Sequence, residues 1–321
     1  MRIGSFYVRR AFRLLPALLL TLVFLLVLGD VTGEPWGSQL ERTGSVLGYF
    51  FNWWHGARPL SDGWGPLGSL SVEEQFYIVW PLLLVGMLAL VGRRRQGWRR
   101  DATIAAITGV AALALAVWRT VAWANGSSES PLYSYTHFRA DALLIGAALA
   151  LVVHGRPELL GAARRFAHLL LPAIGVFVLA AVFGSRADPV DRPGWMLGPG
   201  GTAVALLAAA ITLLAITAPA ESLGRRVLDV RVLVWLGTRS YAVYLLHGPM
   251  AAALAHAVGH AGAAVDVAAL ALTLVVAELS YRFLEQPVLR RLPAWAKRTT
   301  AALEVATADA PAATDATGAR L

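Results

Sequence analysis

"SLSVEEQFYIVWPLLL", residues 69–84, sets two adjacent carboxylates, Glu73 and Glu74, at the head of an apolar run that continues to residue 92. About 20 apolar residues are what a helix needs to cross ~30 Å of hydrocarbon. Hydrocarbon is a poor solvent for an ionised side chain, so each acid in such a stretch needs a physical reason. The stretch reads as a membrane helix with two acids to be explained.

The rest of the chain repeats the pattern. Of its 321 residues, 57% are hydrophobic and 15% charged, where a soluble domain would carry about 25% charged. Mean hydropathy is +0.59. Apolar spans run over 11–29, 72–92, 102–122, 138–154, 168–184, 199–218, 232–256 and 264–284. Composition and span length together give an all-α fold: a polytopic transmembrane bundle of about eight spanning helices. No cysteine is present, which excludes disulfides, a thiolate nucleophile and thiolate-bound metal. The net charge of +8 points to orientation rather than to nucleic acid.

Arginine placement sets that orientation. Segments 1–13, 93–100, 155–166, 219–231 and 286–298 hold nineteen Lys and Arg, whereas the alternate segments hold only Arg42, Arg58, Arg186 and Arg192. Positive loops stay cytoplasmic, so both termini are expected inside. Parity then requires that "TGSVLGYFFNWW", 43–54, does not span, and it reads as an outer or re-entrant segment. Residues 299–321, rich in Ala and Thr, read as a disordered cytoplasmic tail.

Several polar groups sit at or beside membrane depth. Ser71 and Glu74 fit a capping box, with Ser71 as N-cap, which leaves Glu73 without an equal local explanation. By this topology both glutamates face the outer surface. His137 and Asp141, spaced i,i+4, share a helix face, with Arg139 between them; Arg139 and Asp141 should each find a partner on another helix. Ser240, Tyr244 and His247 form one polar stripe. Glu278–Arg282 and Arg282–Glu285 read as ion pairs, and Pro287 as a helix stop. His256 and His260 have the spacing of a zinc helix without its glutamate, and no metal site is expected. Arg9, Arg10 and Arg13 cluster at the cytoplasmic entry, where they satisfy the positive-inside rule or bind a polyanion. Trp53, Trp54 and Trp64 are interfacial anchors or a platform for a sugar face.

Four stretches in order, "FYVRRAFRLLP" (6–16), "SLSVEEQFYIVWP" (69–81), "FRADALLIGAALAL" (138–151) and "LGTRSYAVYLLHGP" (236–249), with "LSYRFLEQP" (279–287) as a weaker fifth, resemble the membrane acyltransferase 3 family over most of residues 5–291. The resemblance implies an acyltransferase-like domain over 1–298 in the bacterial cytoplasmic membrane. It implies transfer of an acyl group from acyl-CoA, a donor substrate rather than a cofactor, to a hydroxyl of an envelope carbohydrate or a glycosylated metabolite such as a macrolide. It associates Arg9, Arg10 and Arg13 with the acyl-CoA. Ser71, Glu73, Arg139, Asp141, Tyr244 and His247 become candidate cavity residues, and membrane lipid is the surrounding partner.

The chain departs from the family pattern at its start and at Gly68, where the family usually has Trp. Family members begin with a further helix bearing the catalytic histidine and then a Gly-Val-Asp-Phe-Phe stretch; neither is found here, so a truncated or inactive form is expected, or a substitute base. His137, His247 and Glu73 are the candidates for that base. A transporter or flippase, and a non-catalytic membrane scaffold, are the competing readings. The donor-binding arginines are expected at the inner mouth of the bundle and Glu73 at the outer one.

Overall fold

The computed structural model describes residues 3–54, 63–94, 96–155, 195–219 and 221–297, with isolated positions between 161 and 179. The span expected over 168–184 falls largely outside these residues, and the tail 299–321 wholly outside. Every regular element among the described residues is helical.

α1 (Ile3–Val31) leads into two short helices, α2 (Trp36–Leu47) and α3 (Phe51–Trp54), followed by α4 (Gly65–Gly92), α5 (Trp98–Ala124), α6 (Glu129–Ser134) and α7 (Thr136–Gly155). After a wide turn at Met196–Gly200 come α8 (Gly201–Ile216), α9 (Leu223–Leu228), α10 (Arg231–Val258) and α11 (Ala263–Ser280). A second wide turn, Tyr281–Glu285, leads into α12 (Gln286–Arg290).

Six helical stretches among the described residues are long and apolar enough to cross a membrane: Ile3–Val31, Gly65–Gly92, Trp98–Ala124, Ser130–His154, Met196–Ile216 and Ala263–Arg290. They account for six of the eight expected spans. A seventh expected span, 232–256, lies in α10, whose 28 residues would measure about 42 Å. Its tyrosines, histidines and arginines leave it outside that apolar set. The polarity that removes it from the set also makes it a candidate for the site.

The segment 43–54 is not one element. α2 ends at Leu47, Tyr49 adopts φ 59°, and four-residue α3 follows. A non-glycine residue in the left-handed region marks a forced turn. Here it swings Phe51 inward onto Trp64, with ring centroids 5.9 Å apart. Both rings are buried, so Trp64 anchors the core and is not a surface platform. They join Leu18, Leu22 and Leu25 of α1, Leu67 and Leu70 of α4, and Leu245, Leu246 and Met250 of α10.

Two helix termini differ from the sequence expectation. α4 begins at Gly65, with Pro66 in its first turn, where proline's fixed φ and missing N–H do no harm. Ser71 therefore lies inside the helix, its hydroxyl donating to the Leu67 carbonyl at 3.0 Å, and there is no Ser71–Glu74 capping box. Pro287 does not stop a helix either. It sits in the first turn of α12. Of the two pairs expected here, Arg282 bonds Glu278, whereas Glu285 accepts from Ser280 at 2.9 Å.

α10 runs antiparallel to α4, and small residues bring them close. Gly63, at φ +87°, approaches so tightly that an added Cβ would lie 2.8 Å from Pro249 Cα. The far end of α10 is locked to α11 by Glu278, which accepts from Trp235 at 2.8 Å and pairs with both Arg239 and Arg282.

Candidate active site

Arg10 of α1 forks onto Glu74 of α4. Its Nη2 lies 2.6 Å from Oε1, and its Nε is 3.1 and 3.2 Å from the two oxygens. Tyr77 lies 3.2 Å from the guanidinium carbon, and the Tyr7 hydroxyl donates to the Ile78 carbonyl at 2.8 Å. Residue numbers rise on α1 as they fall on α4, so the helices are antiparallel where they touch. Bidentate charge-assisted bonds of this kind are the strong ones. The carboxylate side chain is 7% exposed, and a carboxylate so placed is stable only with its partner.

This contact overturns the expected separation of arginines and glutamates at opposite mouths. The apolar run of α1 leaves Arg10 in one direction and that of α4 leaves Glu74 in the other. The pair thus sits between two apolar runs, not at the open end of both. Nor do the three arginines face one way. Arg9 donates to the Ala296 carbonyl at 3.1 Å, Arg13 is exposed within electrostatic reach of Glu285, and Arg10 is committed to α4.

Around the fork lie further polar groups. Glu73 is exposed, within electrostatic reach of Arg10, Glu74 and Arg139. The Tyr241 hydroxyl of α10 is buried and makes no hydrogen bond among the described residues, although Glu74, Tyr49, Arg10 and Glu73 are all within its electrostatic reach. Arg10 Nη1 likewise has no acceptor among the described residues. Tyr49 stays protonated well beyond neutral pH, because burial and then the nearby Glu74 carboxylate push its hydroxyl upward. One turn on from Tyr241, Tyr244 lies beside Ser69 of α4. His247 follows, its Nδ1 2.6 Å from the Tyr244 carbonyl. A carbonyl only accepts, so Nδ1 is the donor in this contact and Nε2 is left to other partners. Tyr241 to His247 covers about 9 Å of α10.

Gln75 ties this centre to the neighbouring helices. Its amide donates to the Tyr49 carbonyl and to Asn52 at 2.5 and 2.9 Å, and it accepts from Thr136 and Trp53. His137 lies beyond, in an aromatic cluster. It stacks on Trp118 at 4.8 Å and has Trp53 at 5.5 Å and Phe138 at 4.2 Å. Arg139 bonds the Tyr133 carbonyl at 3.1 Å and covers the Tyr133 ring at 5.0 Å.

Asp141 belongs elsewhere. It is fully buried and holds Arg119 of α5 through two bonds of 2.9 Å. Arg119 also donates to the Phe138 carbonyl (2.8 Å), the Gly198 carbonyl (3.2 Å) and Thr202 (2.6 Å). These use all five guanidinium N–H groups. Gly201 leaves the room, since an added Cβ would lie 3.0 Å from Arg119 Nη2. A saturated pair has nothing left for a substrate, so this second centre binds α5, α7 and α8 together.

Nothing in the linear pattern singles out Thr202, Gln75 or Tyr241. Arg119 carried a usable signal, as a lone charge within the apolar span 102–122.

A multi-pass helical bundle with a buried ion pair and open acid at its centre is the class of protein that these features define. Residues 1–282 match the Acyltransferase domain family, and the chain belongs to it. It is 34% identical over 305 residues to the putative peptidoglycan O-acetyltransferase YrhL of Bacillus subtilis, covering 88% of this chain and 45% of that protein. It is 30% identical over 305 residues to the peptidoglycan O-acetyltransferase OatA of Listeria monocytogenes, covering 90% and 46%. A putative O-acetyltransferase of Staphylococcus aureus, SACOL0978, is 28% identical, with 89% and 47% covered. The chain thus spans less than half the length of these relatives. No solved structure matches it.

Proposed function

We propose that the chain is a membrane O-acetyltransferase that moves an acyl group from acyl-CoA to a hydroxyl of a cell-envelope glycan, with peptidoglycan, the substrate named for its relatives, as first candidate. The carrying observation is the Arg10–Glu74 fork, with exposed Glu73 beside it and with the buried Tyr241 hydroxyl and Arg10 Nη1 without a hydrogen-bond partner among the described residues. In this reading Glu73 accepts the proton of the acceptor hydroxyl as its oxygen attacks the thioester carbonyl carbon. The charge that develops on the carbonyl oxygen is met by Arg10 Nη1 and the Tyr241 hydroxyl. The C–S bond breaks, CoA leaves as thiolate and takes up a proton, and the ester remains on the glycan. Glu74 orients Arg10 rather than reacting. Arg9 and Arg13, near the basic end of α1, suit the phosphates of the donor.

The test uses the full chain in nanodiscs, acetyl-CoA labelled in the acetyl group, and peptidoglycan fragments. Alkali-labile label on the glycan, lost in Glu73→Gln, supports the reading. Movement of glycan across sealed vesicles with no need for CoA would replace it with the transporter reading, and neither activity from a folded chain would favour the scaffold.

A further inference from the structure

A second open site lies at the basic end of the bundle, away from the fork. A cleft of about 990 Å³ runs along α5 and the connector that follows α4. Its head is formed by Arg94 and Arg99, with Arg99 also covering the Trp98 ring at 5.6 Å. Below the arginines the wall turns apolar, through Ala102 and Ala106 to Val110. The lining residues of α5 from Trp98 to Val110 recur at helical spacing, so they form one stripe. That stripe is about 18 Å long, close to half of a ~30 Å hydrocarbon core, the depth of one leaflet.

Charge reinforces the shape. Among the described residues neither Arg94 nor Arg99 makes an ion pair, whereas neighbouring Arg100 is paired with Asp101 at 2.9 Å. Both are exposed. Two uncommitted guanidiniums above one leaflet's depth of small apolar residues match an amphiphile with an anionic head and a hydrocarbon tail.

We infer that this cleft holds one anionic glycerophospholipid, its phosphate between Arg94 and Arg99 and an acyl chain along Ala102 to Val110. Such a lipid would fasten the α4–α5 connector to the membrane surface. No residue of the Arg10–Glu74 centre lines the cleft, so the site is independent of the acyl-transfer reading.

Native mass spectrometry of the full chain released from detergent, offered phosphatidylglycerol or phosphatidylcholine with the same chains, tests this. One phosphatidylglycerol is expected to remain bound preferentially. Arg94→Gln with Arg99→Gln should weaken its retention roughly 10- to 30-fold. Ala106→Phe, which fills the groove and spares both charges, should reduce it too. A photoactivatable phosphatidylglycerol on the unaltered chain should label peptides within 98–110, a readout that needs no variant to fold. Equal retention of the two lipids, full retention by the double variant, or labelling confined to other helices would overturn the inference. Displacement of the lipid by acetyl-CoA would also overturn it, reassigning the cleft to the donor.

Discussion

Arg10 and Glu74, 64 residues apart in sequence, form a two-pronged ion pair whose shortest contact is 2.6 Å. It fixes where α1 crosses α4, and it should be energetically coupled. A double-mutant cycle with Arg10→Met and Glu74→Leu, read as unfolding free energy in detergent, should give a coupling of roughly 1.5–3 kcal/mol, the range for hydrogen bonds to charged groups. Additivity within about 0.5 kcal/mol would mean that the fork does not hold the helices together.

Glu73 is exposed where Glu74 is buried, so their variants should separate chemistry from stability. Glu73→Gln should leave the unfolding midpoint unchanged and lower acetyl transfer about 10²- to 10⁴-fold, the usual contribution of a positioned base. His247→Gln should cost less than about tenfold, because His247 lies further along α10. The opposite ranking would move the base to His247, whose Nε2 is available. His137→Phe preserves the stack on Trp118 and should be near neutral in both measurements.

Tyr241 gives a sharper signature. Its hydroxyl is buried with no bond among the described residues, and an unmet buried polar group costs roughly 1–3 kcal/mol. Tyr241→Phe should therefore keep or raise stability while kcat falls about 10²-fold, as for the loss of one oxyanion donor. A drop in stability with unchanged kcat would show that the hydroxyl serves packing.

At the second centre the expectation reverses. Asp141→Ala leaves Arg119 buried without its counter-charge and should cost roughly 3–5 kcal/mol. Arg119→Met with Asp141→Leu should recover most of that loss and retain transfer activity in whatever folds. A rescued fold that cannot transfer acetyl would place this pair in the reaction after all.

These centres show what the linear pattern could reveal. Span length and composition gave most of the helices, because apolar runs near 20 residues need no partner to be recognised. Ordered motifs flagged Arg10, Glu73 and Tyr244 individually. Which charge meets which was not legible, because Arg10 and Glu74 meet only through the antiparallel packing of α1 and α4. The supposed capping box at Ser71 failed for a local reason: with Pro66 in its first turn, the helix starts at Gly65, seven residues before the apolar run at 72. Asp141 was expected to have a partner on another helix, and Arg119 was the available cation. Tyr241 passed as one more apolar position, since only its missing hydrogen bond distinguishes it.

The orientation of the bundle is testable with the chain's own composition. With no cysteine anywhere, each introduced thiol is unique. Gln96 and Ser127 are both exposed and flank α5, whose 27 residues separate them by about 40 Å, enough to cross the hydrocarbon. Arg93, Arg94, Arg99 and Arg100 surround the first position, and none lies near the second in sequence. By the positive-inside rule Gln96→Cys should resist an impermeant maleimide added to intact cells and react only after lysis, whereas Ser127→Cys should react in intact cells. Labelling of both from outside would remove α5 as a span. The inverse pattern would put the basic end, with Arg9 and the Arg94–Arg99 cleft, on the outer surface and leave the proposed donor phosphates without cytoplasmic access.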